Sequence, residues 1–216
     1  MDLTTRRMAL MARVESGGRL PAEYQEVEYL EATGTQAFFT DVPIQDGLTV
    51  DSVQTIASGN DSYLFGGHSG KGFQCCFNGS WVNNIQSAYA GYYEWGSPVT
   101  MDNTTIYHIV LTQENGIQTG YKNDVQVLNG TKSTTSDTSA GAAAALFAQR
   151  GSNGAISLFY KGKVYSLKVL KGAELLANYV PCYRKEDFKP GMYDLVTGNF
   201  YINQGTGEFL YGANVN

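Results

Sequence analysis

Five aromatic residues stand close together near the middle of the chain: Trp81, Tyr89, Tyr92, Tyr93 and Trp95. Asn83, Asn84 and Gln86 lie among them. Sugars present apolar C–H faces and hydroxyl groups, so aromatic platforms with amide neighbours suit them. If Tyr89 to Trp95 is one extended run, Tyr89, Tyr93 and Trp95 share a face. Core packing and subunit interfaces use the same residue types, and the sequence leaves those uses open beside glycan binding.

The other candidates for chemistry are weaker. Glu26, Glu28 and Glu31 invite comparison with the paired carboxylates of glycoside hydrolases. On one strand, however, Glu26 and Glu28 share a face and Glu31 points to the other, so a solvated strand face is the expectation. His108 sits among alternating apolar residues and reads as a hydrogen-bonded structural histidine. His68 lies in the glycine-rich run Gly66–Gly70, with no G-x-S-x-G motif to make a triad. Ser58–Asp61 and Thr134–Asp137 could lend oxygens to Ca2+, but both lack the dense carboxylate spacing of a dedicated calcium loop. No catalytic residue, metal site or cofactor is expected.

The elements that must position these residues are read from periodicity and turns. Residues 2–15 predict a short helix, with Leu3, Leu10 and Val14 at near-helical spacing and Ser16-Gly17-Gly18 ending it. A helix this short needs something to pack on, so residues 1–19 are expected to be an anchor or oligomerisation arm, with a disordered tail as the alternative. From Leu20 to residue 216 the period is two. Tyr24–Glu31, Thr105–Leu111 and Val164–Leu170 alternate as half-buried strands. Asn78-Gly79, Asn115-Gly116, Asn129-Gly130 and Asn153-Gly154 supply the positive φ values of tight hairpins. Thr131–Ala140 is expected to be a surface loop. Ala142–Ala145 has helical propensity but sits in a β context and is assigned to a strand.

Composition agrees. Twenty-five glycines, 15 tyrosines and only 16% charged residues suit an all-β chain. A net charge of −5 argues against a nucleic-acid partner. No run approaches the roughly 18 apolar residues of a membrane span, and Arg13 ends the apolar run Met8–Ala12 short of the roughly 7–15 residues that a secretion signal needs. Three cysteines, Cys75, Cys76 and Cys182, do not make a disulfide framework. A bridge from Cys182 to one of the pair stays open beside free buried thiols, and assembly in a reducing cytoplasm is expected.

Two segments then carry a family likeness. Leu20-Pro21-Ala22-Glu23-Tyr24 through Tyr29-Leu30-Glu31-Ala32-Thr33-Gly34-Thr35-Gln36 resembles the opening of the laminin-G-like, concanavalin-A-like domains found in phages and prophages of gut bacteria. Val180–Lys185, Gly191–Tyr201 and Gly205–Phe209 resemble that family's C-terminal signature, and Tyr63–Gly66 and Gly162–Val169 also fit. The likeness spans about residues 20–212 and is loose over about 80–145.

The resemblance implies a two-sheet antiparallel jelly-roll sandwich behind a short N-terminal helical arm. It implies a non-enzymatic virion-surface protein (a head or tail fibre, decoration protein or adhesin) assembled in the host cytoplasm. Its expected partners are other virion proteins, sister chains, with a trimer as the guess, and cell-surface glycans. A prophage-encoded or bacterial carbohydrate-binding module is the alternative, and a glycoside hydrolase the remote one.

Overall fold

The computed structural model describes residues 19–57, 62–67, 74–78, 84–89, 92–98, 101–131, 142–151 and 153–216; for 74–78, 84–89, 92–98 and Thr131 only the backbone enters the description. The predicted arm with Leu3, Leu10 and Val14 lies outside these residues. So do Trp81, His68, Ser58–Asp61 and Thr134–Asp137.

Runs of period two become strands because one face of each can be buried while the other meets water. In chain order they are β1 (Tyr24–Glu26), β2 (Leu30–Thr33), β3 (Phe38–Pro43), β4 (Leu48–Gln54), β5 (Ser62–Gly66), β6 (Gln74–Asn78), β7 (Asn84–Tyr89), β8 (Tyr92–Pro98), β9 (Tyr107–Glu114) and β10 (Ile117–Lys122). Then follow β11 (Val125–Thr131), β12 (Ala143–Leu146), β13 (Gln149–Arg150), β14 (Ile156–Ser157), β15 (Lys161–Lys171), β16 (Glu174–Arg184), β17 (Lys189–Asp194), β18 (Phe200–Ile202) and β19 (Leu210–Tyr211). The described residues contain no helix.

The larger sheet runs β11-β10-β9-β4-β15-β16-β17-β18, and the smaller runs β3-β12-β5-β6-β7-β8. The sheets are stacked, with β8 and β7 against β11 and β10 at one margin and β3 against β18 at the other. All named pairings are antiparallel. The expected all-β, two-sheet antiparallel jelly-roll sandwich is the fold observed.

β15 and β16 form the spine. They pair only from Leu167 to Lys171, where they leave their hairpin, and then part. The first half of β15 takes β2 instead, and the far half of β16 takes β1. β19 adds to β2, and Val27 bridges Asn214. The two ends of the chain thus fill one gap in one sheet. This explains why Tyr24–Glu31, expected as one strand, is two: the chain must step from one spine strand to the other.

Between the sheets, Phe38, Leu64, Phe65, Phe147, Tyr160, Val164, Leu167, Val169 and Tyr179 are buried. The rings meet largely edge to face: Phe38–Tyr179 at 65°, Phe38–Phe147 at 60° and Phe147–Tyr160 at 59°. Such pairs add about 0.5–1.5 kcal/mol each beyond area burial. The Tyr160 hydroxyl lies 2.6 Å from Gln54 Oε1 and also reaches the Thr55 carbonyl, so this buried polar atom is satisfied.

The turns divide by chemistry. Asn115 and Gly116 have φ of 50° and 78°, and join β9 to β10 as expected. Asn153-Gly154 turns between β13 and β14. Asn129-Gly130 does not turn; it lies inside β11, paired with Thr119 and Gln118. The β10–β11 turn is Asn123-Asp124, with φ of 50° and 68°. Phe147, Leu158 and Phe188 also take positive φ, a conformation that costs a side-chain-bearing residue about 1–2 kcal/mol.

β9 alternates as predicted, with Tyr107, Ile109 and Leu111 buried and His108 and Val110 half-exposed. β15 does not keep its predicted alternation. Val164, Leu167 and Val169 are all buried, because the register slips between Val164 and Ser166. A bulge of this kind adds one residue and switches faces. Ala143–Leu146 is a strand despite its propensity, since burial between β3 and β5 outweighs a few tenths of a kcal/mol per residue.

The C-terminal run 203–208 is fastened to 33–37. Asn203 Oδ1 accepts from the Ala37 and Gly205 amides, Gln36 Oε1 accepts from the Thr33 amide, and Gln36 Nε2 donates to the Glu208 carbonyl. A Cβ on Gly205 would lie 2.0 Å from the Thr35 carbonyl oxygen. Gly205→Ala is therefore expected to lower stability by about 1–3 kcal/mol, read as a fall in the urea midpoint with the m-value unchanged.

Candidate functional site

Four of the five sequence-selected aromatic residues fall on one hairpin. Tyr89 ends β7, Tyr92 begins β8, and Ala90-Gly91 stands between them. The register sets Tyr89 opposite Tyr92, Ala88 opposite Tyr93, Ser87 opposite Glu94 and Gln86 opposite Trp95. The expectation that Tyr89, Tyr93 and Trp95 share a face is thereby corrected. The chain reverses after Tyr89, so Tyr89 belongs with Tyr92 while Tyr93 and Trp95 occupy the alternate positions. The absence of an Asn-Gly or Asp-Gly pair at the reversal left it unread in the sequence. Among the described residues, β8 is the terminal strand of the smaller sheet, and one of its sides has no partner strand in that sheet.

The carboxylates do not assemble a hydrolytic pair. Glu26 lies in β1 and accepts the Arg19 guanidinium, with the Arg19 Nε at 3.1 Å. Glu28 lies between β1 and β2, exposed, and Glu31 lies in β2, opposite Lys163 and Leu210. The shared strand face expected for Glu26 and Glu28 does not exist, because β1 ends at Glu26.

His108 is held from several sides. Its Nε2 is 2.8 Å from Asp51 Oδ1, and its Nδ1 is 3.7 Å from Asp124 Oδ1. Its amide donates to Asn123 Oδ1, and its carbonyl accepts from the Asn123 amide. The cluster ties β4, β9 and the β10–β11 turn together, which fits the structural histidine expected from the sequence. Asp51, Asn123 and Asp124 went unnoticed there, since they meet only through the register of three strands. Cys182 is free and buried. Burial pushes its thiol up to about 12, so it is an inert thiol at neutral pH. Among the described residues, no group of three His, Cys, Asp or Glu side chains has the arrangement of a metal site.

A second polar knot lies in the chain leading into β9. Asp102 Oδ1 accepts from the Thr104 hydroxyl and amide, both at 2.7 Å, and from the Thr105 amide at 2.5 Å. Asp102 Oδ2 accepts from the Thr105 and Tyr107 hydroxyls. The Thr104 hydroxyl bond, followed by the Thr105 and Thr104 amides, holds the carboxyl far below the usual range.

The architecture has counterparts among solved structures. A heptameric SAP-like pentraxin from Limulus polyphemus superposes with a TM-score of 0.54 at 13% identity, covering 87% of this chain and 89% of that one. A putative carbohydrate-binding protein from Bacteroides ovatus superposes with a TM-score of 0.59 at 11% identity, covering 89% of this chain and 62% of that one. No protein family and no curated protein matches the sequence. At these identities the likeness concerns the fold alone: the chain has the concanavalin-A-like, two-sheet antiparallel jelly-roll sandwich.

The Asp102 knot yields a pH test. A carboxylate with a depressed folded-state pKa adds stability that is complete above its unfolded value and is lost as the pH falls below about 4. Asp102→Ala is expected to lower Tm at pH 7, with the difference from the natural chain shrinking below about pH 4. Thermal unfolding at the two pH values checks it.

Proposed function

We propose that the chain is a non-enzymatic bacteriophage virion-surface protein, a head or tail fibre, decoration protein or adhesin, that attaches to host or mucosal glycans. The β7–β8 hairpin is its contact surface. The observation that carries the glycan reading is the aromatic hairpin on the terminal strand of a lectin-like sandwich. Tyr93 and Trp95, two residues apart on β8, supply ring area for the C–H face of a sugar, and Gln86 stands opposite Trp95 to supply an amide. Tyr89 and Tyr92 add area on the other set of positions, and Trp81 is a fifth candidate. The virion reading draws on the resemblance of residues 20–36 and 180–209 to phage-borne domains.

A carbohydrate-binding module without a virion role is the second reading, favoured by the likeness to the Bacteroides protein. The arm decides between them. In a fibre, Leu3, Leu10 and Val14 would bring sister chains together, in a trimer on our reading, and several copies turn weak sugar contacts into avidity. A glycan-cleaving activity has little behind it, since Glu26, Glu28 and Glu31 are dispersed.

Two outcomes are expected. On a printed glycan array the full chain binds, and Trp95→Ala or Tyr93→Ala weakens binding by about tenfold or more, as loss of a ring–sugar contact of about 1.4 kcal/mol would give. In size-exclusion chromatography with light scattering, the full chain runs as a discrete oligomer and a chain beginning at Leu20 as a monomer. Monomers in both runs sink the self-assembling arm, and release of reducing sugar from an array-positive glycan sinks the non-enzymatic reading.

A further inference from the structure

A row of three rings lies at the other side of the larger sheet. Tyr183, near the end of β16, is 5.7 Å from Phe188 and 5.3 Å from Tyr211 of β19, centroid to centroid. The planes are tilted by only 33° and 38°. The core pairs described above are near 60°, with the edge of one ring closing the face of the next. What makes this row available is exposure, since Phe188 and Tyr211 both stand among the exposed large apolar residues.

Phe188 is the informative member. It is 63% exposed, and its φ is 57°, in the left-handed region that disfavours a phenylalanine. The backbone is strained there and the ring is not rewarded by burial. Strain held at an exposed aromatic residue is the pattern of a site that presents a side chain. The turn is fixed by Asp187, whose Oδ1 accepts from the Lys189 amide at 3.2 Å and whose carboxylate pairs with Arg184.

The surroundings select the ligand. Phe188 and Tyr211, the latter 40% exposed, together offer about 200 Å2 of accessible side chain, given roughly 150–250 Å2 for a whole ring residue. A stable protein interface needs roughly 800 Å2 from each partner, so the row is too small for a docked subunit and is the size of one or two sugar rings. The charges adjoining the rings in sequence sum to zero: Arg184 pairs with Asp187 at 2.6 Å and Lys189 with Glu208 at 2.7 Å, while Lys185, bonded to the Ala22 carbonyl, and Glu186 carry opposite signs. Balanced pairs give no net field for an anion but retain donors and acceptors for hydroxyls.

We propose that Tyr183, Phe188 and Tyr211 form a second carbohydrate-contact surface, which takes one or two pyranose rings of a neutral glycan on their C–H faces. The proposal rests on the glycan-binding reading of the chain but not on the β7–β8 hairpin. Along the larger sheet, β16 is five strand positions from β11, the strand next to β8, or roughly 24 Å at about 4.8 Å per strand. One chain would thus grip a glycan coat at two separate places on the sandwich.

The test compares Phe188→Gly, Phe188→Tyr, Tyr211→Ala and Trp95→Ala full chains with the natural one, on the printed array and in thermal unfolding. Glycine fits the left-handed backbone, so Phe188→Gly is expected to melt at or above the natural chain while binding neutral glycans about tenfold more weakly. Phe188→Tyr keeps binding, and Tyr211→Ala weakens it. If Phe188→Gly and Tyr211→Ala bind as the natural chain does while Trp95→Ala does not, this surface is refuted and the hairpin stands. If Phe188→Gly loses binding and Trp95→Ala does not, this surface is supported and the hairpin falls. A natural chain that binds no glycan overturns both.

Discussion

Backbone donors and acceptors inside a sheet must find partners, and β15 and β16 part company after only a few residues of pairing. The space between them cannot be left to water, because the core faces of both strands hold Val164, Leu167, Val169, Ala177 and Tyr179. Chain from the two ends of the described sequence fills it. β1 completes β16, β2 completes β15, and β19 with the Val27–Asn214 bridge completes the pair from below. Side chains lock the joint, with Gln36 and Asn203 each serving several backbone groups across more than 160 residues of sequence. The long loop closure makes this joint entropically demanding, which accounts for its density of hydrogen bonds and for the glycine at 205 that lets two backbones touch.

That joint also brings together segments far apart in sequence. Residues 24–36 and 182–208 meet there. Their contacts are packing and backbone bonding. Asn203-Gln204-Gly205-Thr206-Gly207 is legible because backbone approach tolerates nothing else at 205. The hairpin bearing Tyr89 to Trp95 lies outside that joint, on the terminal strands of the smaller sheet.

Much of the fold was legible in the residues themselves. Tyr107, Ile109 and Leu111 against His108 and Val110 gave the alternation of β9, and burial shows the first set to be the inner face. Asn115-Gly116 and Asn153-Gly154 gave true turns. Where the reading missed, long-range pairing had overridden a local signal. Asn129-Gly130 has the residues of a turn but lies against β10, while Asn123-Asp124 turns without a glycine because Asn and Asp tolerate positive φ. The bulge after Val164 cannot be seen in the alternation it disrupts. Of the site, the aromatic composition of β7 and β8 was legible and its face assignment was not, since that depends on the antiparallel pairing that sets Tyr89 opposite Tyr92. The row of Tyr183, Phe188 and Tyr211 was invisible, because β19 comes beside β16 only through the joint.

The joint has a further consequence. Arg19 reaches Glu26, and the Val215 amide donates to the Glu26 carbonyl at 2.9 Å. Residues 19 and 215 therefore emerge beside the same short strand, far along the sheet from the β7–β8 hairpin. A sandwich whose two ends leave together needs only two adjacent attachment points and little extra chain to be grafted into a surface loop of another protein.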